Sequence, residues 1–233
     1  MPYLVVELNL RSMIRRDYIL RMIEEFVRLL SRINSLKRAQ RWQEASAVAD
    51  EQLRQLVGTD AVGAANLSDT ELLARLIRGE PTQAVPEKIL ILTALFKEAG
   101  DLASSQGSME PGRALYIRSL NLLLDTIARD EPLEYPEFVP RVDGLVTALQ
   151  DSPLPLDTQA RLMQHYERLG EFARAEDCLF AMLEFEPENR NLLEFGIGFY
   201  DRLRCRNDAT LLAGNLPRVE VEAGLSELRH KAG

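Results

Sequence analysis

The chain has 233 residues, of which 46% are hydrophobic and 27% charged, and its net charge is −8. That length buries a full core without disulfides or metals, and that composition excludes wholesale disorder. The acidic balance argues against a molecule that seeks phosphate backbones as a whole, and two cysteines and two histidines are too few for a disulfide framework or a histidine-rich metal site.

Residues 3–10 alternate in a strand-like way, carry no leading positive charge and include Glu7, so they lack the form of a secretory signal. Residues 1–12 are read either as a leader or as a structural element, and the domain proper is taken as 13–233, a single helical-repeat domain. A long amphipathic helix is expected over 14–40, with Ile19, Met22, Ile23, Phe26, Val27, Leu29, Leu30, Ile33 and Leu36 on a face wide enough for more than one neighbour. A second helix follows over 42–57, then a Gly- and Ala-rich loop over 58–67. A short helix over 68–78 starts at Ser68, with Glu71 at the capping-box spacing, and stops at Gly79 and Pro81. Helices over 87–103 and 111–128 are split by a serine-rich loop at 104–108. Further helices are expected over 136–150, 157–169, 171–185, 189–204, 208–216 and from about 220 to the end. After residue 12 no segment has a period of two, and none approaches the roughly 20 apolar residues of a membrane span. The class is all-α.

A 34-residue spacing relates Tyr166 to Tyr200, Leu169 to Leu203 and Ala175 to Ala209. In the first copy, Leu162, Tyr166, Gly170, Phe172, Ala175, Leu179 and Pro187 resemble the tetratricopeptide repeat. Gly170 suits the turn between the two helices, Ala175 lets them approach, and Pro187 ends the second. Trp42 to Ala45 echoes Phe172 to Ala175, with Gln40 where the turn glycine belongs. A weaker echo places Leu92, Phe96 and Gly100 ahead of Ala114, with an insertion in the turn. The second C-terminal copy departs from the pattern: Arg204 and Arg206 replace the glycine and the aromatic, and Pro217 cuts its second helix. The resemblance implies a tetratricopeptide-like α-α superhelix of about five hairpins. The segment from Met13 to Phe26, reading MIRRDYILRMIEEF, is similar to the opening of an uncharacterised bacterial tetratricopeptide-like family with no assigned activity.

No nucleophile elbow, phosphate loop or dinucleotide fingerprint occurs. His165 reads as a half-exposed helix residue and His230 as a solvated tail residue. Cys178 and Cys205 lack zinc spacing, although Arg204 and Arg206 flank Cys205, an arrangement that lowers a thiol pKa. Glu184, Glu186 and Glu188 read as a solvated turn. The chain is therefore expected not to be an enzyme, with no catalytic residue, metal or cofactor. Residues 11–41 carry a net +6, leaving −13 from residue 42 onward. The first helix thus presents a basic face at Arg15, Arg16, Arg21, Arg28 and Arg32, and favourable pairs such as Glu24 with Arg28 argue for plain solvation.

The expected function is a cytoplasmic protein–protein interaction module, an adaptor or scaffold. Its groove would use Arg161, Gln164, His165 and Arg168 of one first helix, with Glu194 and Asp201 of the next. A regulatory protein contacting nucleic acid or an acidic partner through the basic helix is the second reading, and an enzyme with an interhelical site the third. A protein or peptide is the expected partner, with a second copy of the chain as a further candidate. Neither nucleic acid nor a membrane is expected.

Overall fold

A computed structural model describes residues 2–78, 84–128 and 135–233, with side chains described from Asp17 onward. Among these residues all regular structure is helical. The elements are α1 (Pro2–Arg38), α2 (Trp42–Val57), α3 (Ala61–Ala65), α4 (Asp69–Ile77), α5 (Val85–Ser105), α6 (Met109–Ile127), α7 (Val142–Ala148), α8 (Leu156–Leu169), α9 (Phe172–Phe185), α10 (Arg190–Arg204), α11 (Asp208–Ala213) and α12 (Arg218–Ala232). The strand-like alternation of residues 3–10 makes no strand, because the backbone is helical from Pro2.

The chain divides into two compact units, Met1–Gln150 and Asp151–Gly233. In the first, α1 pairs with α2, α2 with α5, and α5 with α6. Helix α5 is the centre: Ile89 to Phe96 are buried without interruption, so this stretch of the helix is enclosed on every side. Phe26 of α1 meets Phe138 edge-on at 5.0 Å. The expected Gly- and Ala-rich loop contains α3, because the Asp60 carboxylate accepts from Gly63 N at 3.0 Å and caps a short turn of helix. The Ser68–Glu71 capping box is complete: Ser68 N donates to Glu71 Oε2 at 3.0 Å and Glu71 N to Ser68 Oγ at 3.3 Å.

Three hairpins, α1–α2, α5–α6 and α8–α9, share one turn. Gln40, Gly107 and Gly170 take left-handed conformations with φ of 57°, 79° and 78°. Each donates its N–H to the carbonyl three residues back, Lys37, Ser104 and Glu167. The following N–H in each case, Arg41, Ser108 or Glu171, bonds the carbonyl five residues back at 2.9 Å. This is the Schellman pattern, which satisfies the last carbonyls of the first helix. Five residues after each left-handed residue stands a small buried one, Ala45, Gly112 or Ala175. The residue twelve positions earlier in each hairpin, Ile33, Gly100 or Met163, is buried as well, and Gly100 lies against Gly112. The α5–α6 echo therefore carries no insertion, and its small residue is Gly112. Ala114, the residue expected there, is exposed.

In the second unit α8 pairs with α9, and α10 with α12. The 34-residue equivalence holds at Tyr166 and Tyr200, both buried. It fails at Leu169, which is 59% exposed while Leu203 is 1% exposed. It fails again at Ala209, which is exposed on α11. The reason is Pro217, which moves the second helix of that hairpin to α12. There Gly224 lies under Tyr200, and a Cβ on it would fall 2.3 Å from the Tyr200 hydroxyl.

Candidate functional site

The α1–α2 hairpin leaves an open groove of about 630 Å³. One wall is Leu29, Arg32 and Leu36 of α1; the other is Glu44, Ala47, Val48, Glu51, Gln52 and Gln55 of α2, with Arg41 at the turn. Spacings of three and four place each set on one helical stripe. The opposite stripe of α2, Ala45, Ala49 and Leu53, is buried against the core. Small residues there let α2 lie close to its neighbours, so the stripe with Ala47 and Val48 is left outward. Two arginines, Arg32 and Arg41, and two glutamates, Glu44 and Glu51, line the groove together with Leu29, Leu36 and Val48. Arg41 forms a two-pronged bond to Glu44, and Gln55 Nε2 donates to Glu51 Oε1 at 3.3 Å. Such a trough has no net sign. It fits an apolar side-chain row flanked by polar groups of either charge.

The expected basic face is only partly of this kind. Arg15 and Arg16 lie outside the residues whose side chains are described. Arg21 is exposed, Arg28 is exposed and ion-paired to Glu24 at 3.3 Å, and Arg32 lines the groove.

The residues expected to form a groove in the second unit are placed unevenly. Gln164, Arg168 and Glu194 are exposed. Arg161 is held by Asp157 at 2.6 Å. His165, expected to be half-exposed, is 7% exposed, with its ring against Tyr166 at 5.6 Å. Asp201 turns to α12, where Arg229 Nη2 donates to it at 3.0 Å. Helices α8 and α10 are joined by Glu167, which accepts both Arg202 Nε and Nη2 at 2.7 Å.

Sequence reasoning missed the densest cluster of ionisable groups. Lys37 Nζ, in the last turn of α1, donates to Glu98 Oε2 at 2.8 Å and Asp101 Oδ2 at 3.0 Å. Lys97 Nζ donates to Asp101 Oδ2 at 2.8 Å and Glu98 Oε1 at 3.2 Å, and the Tyr116 hydroxyl donates to Asp101 Oδ1 at 3.0 Å. Burial works against both ammonium groups, but the two carboxylates outweigh it and raise both lysines above the ordinary value. Burial likewise opposes the Asp101 carboxylate, and the hydrogen bonds and charges of the lysines hold its pKa below the ordinary value. Lys37, Lys97 and Asp101 are thus held in their charged forms at neutral pH. A fully protonated lysine is neither nucleophile nor base, so the cluster acts as a clamp between α1 and α5. The spacing of Lys97 and Asp101 on one helix was visible in the sequence; the long-range partner Lys37 was not.

The cysteines differ. Burial, then the Asp177 carboxylate, pushes the Cys178 thiol up to about 12, whereas Cys205 is exposed with its thiol against the Asp201 carbonyl at 3.5 Å. Among the described residues no group of three or more His, Cys, Asp or Glu is placed to hold a metal ion, and no helix is long and apolar enough to cross a membrane.

Residues 13–233 match a family of unknown function, DUF6483, and the chain belongs to that family. No curated protein and no solved structure matches the chain.

Proposed function

We propose that this member of the family is a non-catalytic protein-interaction module of the cytoplasm, built from tetratricopeptide-like hairpins, that docks a helical or extended segment of a partner protein in the α1–α2 groove. The observation that carries the reading is the groove itself, lined by Leu29, Leu36 and Val48 together with charges of both signs. Helices of this kind recognise partners through apolar anchors at spacings of three and four, with polar rims that set register. The shared turn at Gln40, Gly107 and Gly170 supports the tetratricopeptide-like assignment, as does the buried pair twelve residues apart in each hairpin. No cofactor is needed for such a role. The exposed Gln164, Arg168 and Glu194 of the second unit form a secondary candidate surface.

The test compares proteins captured by the wild-type chain with those captured by Ala47→Tyr, in lysate of the native cell with and without nuclease. Ala47 is exposed, so tyrosine fills the groove without entering the core. Loss of a specific partner in the variant supports the reading. Equal capture by both chains contradicts it, and capture that vanishes with nuclease favours nucleic acid at the basic helix instead.

A further inference from the structure

The α1–α2 groove fits an apolar row accompanied by charges of both signs, and α1 itself carries such a row. Met22, Glu25, Leu29, Arg32 and Leu36 follow one another at alternating steps of three and four, the spacing of a coiled-coil seam. Met22, Leu29 and Leu36 are half-buried, so each keeps apolar surface outward, and Glu25 and Arg32 are exposed. Leu29, Arg32 and Leu36 are also the α1 wall of the groove. We infer that the occupant is α1 of a second copy of this chain, laid antiparallel in a twofold-symmetric dimer, an inference that rests on the groove being a docking surface.

Charge complementarity selects both the partner and its direction. In a twofold interface every contact occurs twice, so the surface must complement itself. Glu25 stands one step before Leu29 and Arg32 one step after it. With Leu29 on the axis, antiparallel helices set Glu25 of each copy beside Arg32 of the other, and Met22 beside Leu36. A parallel pairing would set Glu25 on Glu25 and Arg32 on Arg32, and specific interfaces exclude such like-charge contacts. Among the described residues neither Glu25 nor Arg32 is held in an ion pair of its own chain, so both keep their charge for a neighbour. Arg28 flanks the axis, and Glu24 at 3.3 Å offsets part of the repulsion between its two copies. On the α2 wall Ala47 is exposed and Val48 half-buried, so a neighbouring helix meets a small and an apolar side chain there. The apolar contacts supply affinity, and the paired charges fix register.

The experiment is sedimentation equilibrium of the purified full chain over a micromolar concentration series. It compares the wild type, Glu25→Arg, Arg32→Glu and an equimolar mixture of the two variants. The wild type is expected to be a dimer. Each variant alone puts like charges at both symmetric contacts and should weaken association about tenfold or more. In the mixture each contact again joins an arginine to a glutamate, so heterodimers should form with affinity near that of the wild type. Both positions are exposed, and unchanged helical circular dichroism shows that each variant remains folded. A monomeric wild type overturns the inference. So does a dimer that neither substitution weakens, because association then uses another face, and so does a mixture that stays monomeric. The groove reading fails separately: if Ala47→Tyr still loses a captured partner of different sequence, the groove docks that partner even though the second copy is excluded.

Discussion

Gly100 and Gly112 bring α5 and α6 into backbone contact. A Cβ on Gly100 would lie 3.2 Å from the Gly112 carbonyl and 2.8 Å from the Tyr116 ring, and a Cβ on Gly112 would lie 3.1 Å from the Gly100 carbonyl. The Tyr116 ring cannot simply retreat, because its hydroxyl is bonded to Asp101 in the ion cluster.

Gly100→Val is expected to destabilise the first unit by about 2 kcal/mol or more, because overpacking exceeds the helix-propensity gain of losing a glycine. Gly144, in α7, has nothing within 4 Å of an added Cβ. Gly144→Ala is therefore expected to stabilise by about 0.5–1 kcal/mol. Urea midpoints of the two variants check the pair; a tolerated Gly100→Val would mean that α5 and α6 are not in this register.

Gln40 holds a left-handed backbone with φ of 57° at the place where the other two hairpins use glycine. The left-handed region costs a side-chain-bearing residue about 1–2 kcal/mol, and a glycine loses part of that gain through the freer unfolded chain. Gln40→Gly should raise stability by about 0.5–1 kcal/mol, read as a higher melting temperature. A lower one would mean that the Gln40 side chain makes a contact that outweighs the strain.

The two thiols should separate cleanly. Cys205 is exposed and should react with a thiol reagent in the folded protein at neutral pH, while Cys178 is buried with its pKa pushed up to about 12 and should not. Mass spectrometry after brief labelling should show one adduct in buffer and two in urea. Two rapid adducts in buffer would mean that the α8–α9 hairpin opens readily.

The Lys37–Glu98–Lys97–Asp101 cluster sets two limbs in the stability of the first unit. The Asp101 pKa is lowered by folding, so its contribution is complete above the unfolded value near 3.8 and is lost as the pH falls through the lower folded value. The Lys37 and Lys97 pKa values are raised, so their contribution is complete below about 10.5 and is lost as the pH rises through the folded values. Between those limits the cluster contributes a pH-independent term. In Asp101→Asn, chemical denaturation across pH should show a shallower acid limb and a lower plateau. An acid limb as steep as that of the wild type would exclude Asp101 as its source.

Most helix positions were legible because the apolar periods are long and the stop signals at Gly170 and Pro187 act locally, but the helix expected over 136–150 is only Val142–Ala148, since Pro136 and Pro140 keep the preceding stretch out of the helix. The α5–α6 turn was misplaced for a physical reason. Its serines read as a loop, yet Ser105 Oγ donates to the Asp101 carbonyl at 2.8 Å, and the helix continues to that residue. The last hairpin misled because Ala209 keeps the repeat spacing while Pro217 relocates the helix that would have used it. On α1, Leu29, Leu36 and Arg32 were legible as parts of a broad apolar face and a basic face. The opposing stripe of α2 was not, since Glu44, Ala47 and Glu51 alternate small and charged residues as any solvated helix does. Burial of His165 and the union of Lys37 with Glu98 and Asp101 depend on packing between distant segments, which spacing does not encode.

Docking of a partner segment in the α1–α2 groove is tested most directly by a photo-crosslinking amino acid placed at Ala47 and, in parallel, at the open position Gly144, in the native cell. The groove reading predicts a discrete cross-linked protein from Ala47 and none from Gly144. No adduct from Ala47, or the same adducts from both positions, would contradict it.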